Sequence, residues 1–241
     1  NSSYIYTNRE LFLNKDIFNN IESIYSIIET YDELKDCKAE KSVNKFKETD
    51  TEFAQNTLFG IVEKNIWKNK GHLICDDLGD EWADHIAIYN TKEKGEIPYI
   101  NFYISKHGES TTGASKFHDV IGQAHKNLGN INFKKEEILN KIRLWKSSNY
   151  SYTNISKLRS SNGAWDKIES DSIAVLENPL TLRNIYLVVS FLSLSKLKAD
   201  IKAFNKNEKG YEHIPQLIWF ISTFIGQCKE HNVKPRIICK P

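Results

Sequence analysis

Asp84 opens one apolar stretch and Lys106 closes the next. If the two stretches are strands that pair across their short connection, both polar groups meet at one end of a sheet. Glu81 stands three residues before Asp84 and can converge on the same rim. Gln123 and Lys126 are three apart in a helical pattern and share a face. Carboxylates at a sheet end suit a hard divalent ion such as Mg²⁺, which takes oxygen ligands. Such an ion lowers the pKa of a bound water and stabilises charge on a phosphoryl group. A neighbouring lysine can orient that water or neutralise the same charge. A glutamine can position the water or hold a phosphate.

The elements that must position these groups follow from periodicity. Apolar residues over Ile17 to Leu34 recur at spacings of three and four, which predicts a helix with Asp16 as its N-cap. Lys35 to Asp50 is charged and reads as a solvated connector. A second helix is expected over Thr51 to Lys68, ended by Gly71. Short strands follow at His72 to Cys75, Ala83 to Tyr89 and Ile97 to Ser105. Asp76 and Asp77 between them read as turn-building residues. Ala114 to Leu128 and Phe133 to Trp145 return to helical spacing, and Ser147 to Gly163 reads as loop. Asn184 to Leu192 is the strongest buried strand. Helices over Ser195 to Ala203 and Tyr211 to Glu230 lead to a last strand at Arg236 to Cys239. The order predicts an α/β protein with a mixed central sheet flanked by helices and an N-terminal helical segment. Residues 1–50 are assigned to that segment and 51–241 to the main domain.

The text "DDLGDEWADHIAI", "INFYISK" and "FHDVIGQAHKNL" resembles the PD-(D/E)xK nuclease superfamily. Within it the similarity is to a nuclease-like domain associated with helicases in bacterial anti-phage defence. Glu81, Ala83, Asp84, Lys106, Gly122, Gln123, Ala124 and Lys126 carry the resemblance, and "VVSFLSLSKL" extends it faintly over 184–241. Residues 1–50 carry none of it.

The resemblance implies a restriction-endonuclease-like fold and metal-dependent hydrolysis of phosphodiester bonds, with DNA favoured over RNA. Asp84 and Glu81 would hold Mg²⁺, with Mn²⁺ able to substitute. Lys106 would assist the attacking water, and Gln123 would orient water or phosphate. Lys126, His107 and Lys196 would contact nucleic acid. DNA and a helicase or other defence-system subunit are the implied partners, in a larger protein or complex in the cytoplasm. The family usually carries Glu or Gln two residues before the lysine. Here that position is Ile104, whose side chain binds no metal. Either Glu81 or Glu63 supplies the missing carboxylate, or the site is degenerate and the module binds DNA or docks a helicase without cutting.

Composition sets the outer bounds. The 241 residues are 40% hydrophobic and 27% charged, which is ordinary for a globular chain long enough to bury a core. A net charge of +2 announces neither a nucleic-acid nor an acidic partner. No apolar run reaches the roughly 18 residues of a membrane span, and no secretory signal opens the chain. Cys37, Cys75, Cys228 and Cys239 show no CxxC spacing and are expected to be reduced thiols. No HExxH, GxGxxG, P-loop or GxSxG is present.

Overall fold

The computed structural model describes residues 4–7, 10–13, 21–77, 79–160 and 165–241. Among them β1 (Tyr4–Thr7) and β2 (Glu10–Leu13) form a separate antiparallel pair. The main sheet has six strands: β3 (Ile28–Thr30), β4 (His72–Cys75), β5 (His85–Tyr89), β6 (Tyr99–Lys106), β7 (Leu182–Ser193) and β8 (Lys234–Lys240). Their order across the sheet is β3-β8-β7-β6-β5-β4. β4, β5 and β6 form an antiparallel meander, as their short connections predict. β6, β7, β8 and β3 run parallel to one another, so the sheet is mixed.

The helices are α1 (Ile21–Tyr25), α2 (Leu58–Ile61), α3 (Ala114–Asn127), α4 (Lys135–Ser147), α5 (Trp165–Glu177), α6 (Leu194–Asn205) and α7 (Ile214–Glu230). One sheet face carries Ile86, Ile100, Phe102, Ile104 and Leu187 into a core with Phe117, Val120 and Ala124 of α3, Ile142 and Trp145 of α4, and Ile221 and Phe224 of α7. The other face sets Leu73, Ala87, Val188 and Ile238 against Leu58 and Ile61 of α2 and Val62 and Ile66 of the π-helical turn that continues it. β7 is buried on both faces, which is why its sequence reads as an unbroken apolar run.

Most expected elements stand within a few residues of their predicted bounds. Two do not. The single helix expected over 17–34 resolves, from residue 21 on, into α1, strand β3 and a 3₁₀ turn at Asp32–Asp36; positions 17–20 lie outside the described residues. Ile28 pairs with Ile237 and Thr30 with Cys239, so this β-branched stretch gains more by extending the sheet than by continuing a helix. The helix expected from Thr51 begins at Leu58, because Thr57 caps it by accepting from the Gly60 N–H at 3.2 Å. α5 has no counterpart in the sequence reading.

No helix among the described residues is long and apolar enough to cross a membrane. All four cysteines are free.

Candidate metal centre

The loop from β4 to β5 is clamped from inside. Asp76 is fully buried and accepts four hydrogen bonds: from the Trp82 N–H at 2.8 Å, from Trp145 Nε1 at 2.6 Å, and from Lys141 Nζ at 3.1 Å to each carboxylate oxygen. Lys141 also donates to the Asp80 carbonyl, and the Asp76 N–H donates to the Asp84 carbonyl at 3.0 Å. Trp82 stacks on Phe133 at 5.3 Å and lies in the core. With Asp76 and Trp82 plugged inward, Asp77, Glu81 and Asp84 are left together at the sheet end.

There the carboxylates of Asp77, Glu81 and Asp84 each offer an oxygen within 4.8 Å of the others. Asp84 stands immediately before β5 and accepts from the Ser105 N–H at 2.6 Å, which ties it to the last turn of β6. Burial pushes the Asp84 carboxyl up to about 8; the Ser105 N–H works against this, and the charge on Asp77 adds to it. Glu81 is raised for the same reasons, by burial and then by Asp77. Lys41 Nζ reaches Asp77 at 2.7 Å; burial lowers the lysine's pKa, but Asp77, with Asp84 and Glu40, holds it above its usual range. Tyr150 faces Asp77 from the other side.

The donor set is oxygen only, partly buried and short of positive charge, which fits a hard divalent cation and not a soft one. A charge of +2 placed there would pull the raised Asp84 and Glu81 carboxyls back to their ionised forms.

Lys106 ends β6 on the same strand face as Ile104, which is 2% exposed in the core beneath α3. It has no acidic partner within 4.0 Å among the described residues. Lys126 is exposed on α3, and its charge is felt by Glu81; Gln123 lies one turn earlier, half-buried. Asp84 and Glu81 therefore share one cluster, while Lys106 ends the neighbouring strand and Gln123 and Lys126 lie on α3.

Three assigned residues are placed otherwise. Glu63 stands outside the acidic cluster: its two oxygens accept from Arg159 Nε at 2.6 Å and Arg159 Nη2 at 2.9 Å, and His85 Nε2 lies 3.2 Å away. Burial alone would raise its pKa, but His85 and Arg159 together hold it below the usual carboxylate range. The His107 ring turns onto Ser190, 2.8 Å from Nδ1, with Cys37 Sγ at 3.7 Å. Only its backbone N–H reaches toward the centre, donating to Glu40 at 3.2 Å. Lys196 pairs with Asp200 at 3.1 Å, one turn on along α6.

Sequence reasoning missed Asp77 and Lys41. Asp77 was read as a turn former, and the adjacent Asp76 does have that structural role. The doublet hid two fates, since only the burial of one neighbour frees the other. Lys41 lies in the stretch read as a solvated connector. That stretch is pinned to α2 instead, by the Leu58 N–H to Ala39 carbonyl and Phe59 N–H to Glu40 carbonyl bonds, both 3.0 Å.

Comparison of the chain with protein-family models, with curated proteins and with solved structures returns no match.

Proposed function

We propose that this chain is a metal-dependent nuclease of restriction-endonuclease-like architecture that hydrolyses DNA phosphodiester bonds. The observation that carries the reading is the grouping of Asp77, Glu81 and Asp84 where β5 begins, with Asp84 hydrogen-bonded to Ser105, the residue before Lys106. Mg²⁺, or Mn²⁺ in its place, would supply a water of lowered pKa and a counter-charge for the phosphoryl oxygens. Asp84 and Glu81, joined by Asp77, would hold it. Lys106 orients the water and neutralises developing charge, and Gln123 and Lys126 position the scissile phosphate. The place in anti-phage defence and the helicase partner rest on the resemblance of the Asp84, Lys106 and Gly122–Lys126 text. The cytoplasm is the proposed location, supported by four unpaired cysteines.

The test is cleavage of plasmid and single-stranded DNA with Mg²⁺, Mn²⁺ or EDTA by the wild type, Asp84→Ala and Lys106→Ala. Cutting should require the metal and fall roughly a hundredfold or more in each variant. Both variants cutting at the wild-type rate would falsify the assignment.

A second reading is favoured by two observations. Ile104 is locked in the core, and Lys41 already seats a positive charge on Asp77. A degenerate module of this kind would bind DNA or a helicase without cutting. It predicts no Mg²⁺-dependent stabilisation in wild type, and its appearance in Lys41→Ala.

A further inference from the structure

The α2-side face of the sheet carries a second, unrelated constellation. Strand register fixes it. Tyr99 stands opposite Leu182, Asn101 opposite Asn184, and Tyr103 opposite Tyr186; Asn184 is in turn opposite Lys234, and Tyr186 opposite Arg236. Because side chains alternate, these residues share one face in successive rows. They line a groove of about 410 Å³ whose walls include Tyr31 and Lys68.

The groove is aromatic, amide-bearing and cationic together. Tyr103 and Tyr186 stack at 4.9 Å with their planes 21° apart, and Tyr31, Tyr99 and Tyr186 are partly exposed. Asn184 Nδ2 donates to Asn101 Oδ1 at 2.7 Å, and Asn101 Nδ2 donates to the Tyr103 hydroxyl at 3.3 Å. Lys68, Lys70, Lys234 and Arg236 line it; Lys70 pairs with Glu96, and Arg236 lies 3.7 Å from Glu29. Lys68 and Lys234 are exposed, with no ion-pair partner among the described residues. The lysine wall is held stiffly. Gly71 has φ +78°, where a Cβ would meet the Ile88 carbonyl oxygen at 2.3 Å. The Tyr99 hydroxyl and Trp67 Nε1 both donate to the Lys70 carbonyl, at 3.1 and 3.2 Å.

We propose that this groove binds single-stranded nucleic acid. Partly exposed tyrosine rings on a sheet give bases a stacking surface, the buried Asn101–Asn184 pair ties together the strands that carry them, and Lys68 and Lys234 at the rim meet the phosphates. A duplex keeps its bases stacked on one another and cannot use the rings. The groove begins at Tyr103 and runs toward Tyr99, away from the Ser105 N–H that holds Asp84. At roughly 3.3 Å per residue the groove spans from about 7 Å to about 20 Å along β6 from Ser105. None of the three carboxylates lines it, and its binding needs no metal.

The experiment is fluorescence anisotropy of a labelled twelve-nucleotide poly-dT strand with the full chain in EDTA. The strand should bind more tightly than a duplex of equal length. Tyr99→Ala should weaken it roughly tenfold. Lys68→Glu combined with Lys234→Glu changes only exposed side chains and should flatten the salt dependence by about 1.4 in log–log slope, the share of two phosphate contacts. Unaltered binding by the double charge variant overturns the proposal. So does equal affinity for duplex, or competition by free dTMP at the oligonucleotide's own concentration, which would make the groove a small-molecule site. Because cleavage is scored separately with metal, loss of strand binding and loss of the nuclease reading are distinguishable.

Discussion

Asp76, fully buried, and Asp84, partly buried, lie at the two ends of one loop, yet they do opposite things. Asp76 receives a lysine and two further donors, so its charge is matched where it is buried. Burial still raises its pKa, with Lys141 as the chief opposing influence. Asp84 receives one N–H and faces two more carboxylates. Glu63 falls with Asp76: it is buried, but Arg159 and His85 satisfy it. Burial of an acid therefore does not mark a site in this protein. What separates the centre from the scaffold is unmatched charge, a local shortage of donors that an added cation would correct.

The contrast predicts very different costs of perturbation. Lys141→Ala removes the partner of a buried carboxylate and should cost about 3–5 kcal/mol by urea unfolding. A loss under 1 kcal/mol would place Asp76 with the unmatched acids. Next in size is metal linkage. Mg²⁺ at a hundred times its Kd should stabilise the fold by about 2.7 kcal/mol, and more weakly at pH 6 than at pH 9, since protons compete at Asp84. A shift in Tm that ignores pH would exclude Asp84 as a ligand.

The charge shortage is read most directly from Asp84→Asn without metal. A carboxyl whose folded pKa is raised to about 8 favours the folded state in its protonated form. The wild type should therefore lose stability as pH climbs from about 4 toward 8, while the amide does not. The variant should match the wild type near pH 4 and pull ahead of it steadily as pH climbs toward 8, the gap being read from paired urea-unfolding curves. Parallel stability curves for the two proteins would contradict the charge shortage.

Where local pattern and tertiary setting agree, the fold was legible. β5, β6 and α3 were readable because alternation and three-four spacing each matched the face they bury. The α/β class followed from their order. The 17–34 stretch misled because Ile28 sits on a helical stripe and in a strand equally well, and the deciding partner, Ile237, is remote in sequence. α5 was invisible because its buried face includes Ser172, whose hydroxyl is satisfied by the Ile168 carbonyl at 2.6 Å. In the site, Asp84 was placed at the sheet end by its strand. Glu63 looked equally eligible until Arg159, 96 residues away, was brought onto it.

The parallel half of the sheet also dictates an order of assembly. β4, β5 and β6 lie within residues 72–106 and can pair as soon as they are synthesised. β3 cannot: among the described residues its one sheet neighbour is β8, about 200 residues later, and β8 is itself the strand between β3 and β7. On the ribosome the meander that frames Asp84 can form early, while β3 and the exposed edge of β7 wait for the last strand to emerge. During that interval an apolar edge is open to other chains, so slowed synthesis before β8 should raise aggregation more than slowed synthesis after β6.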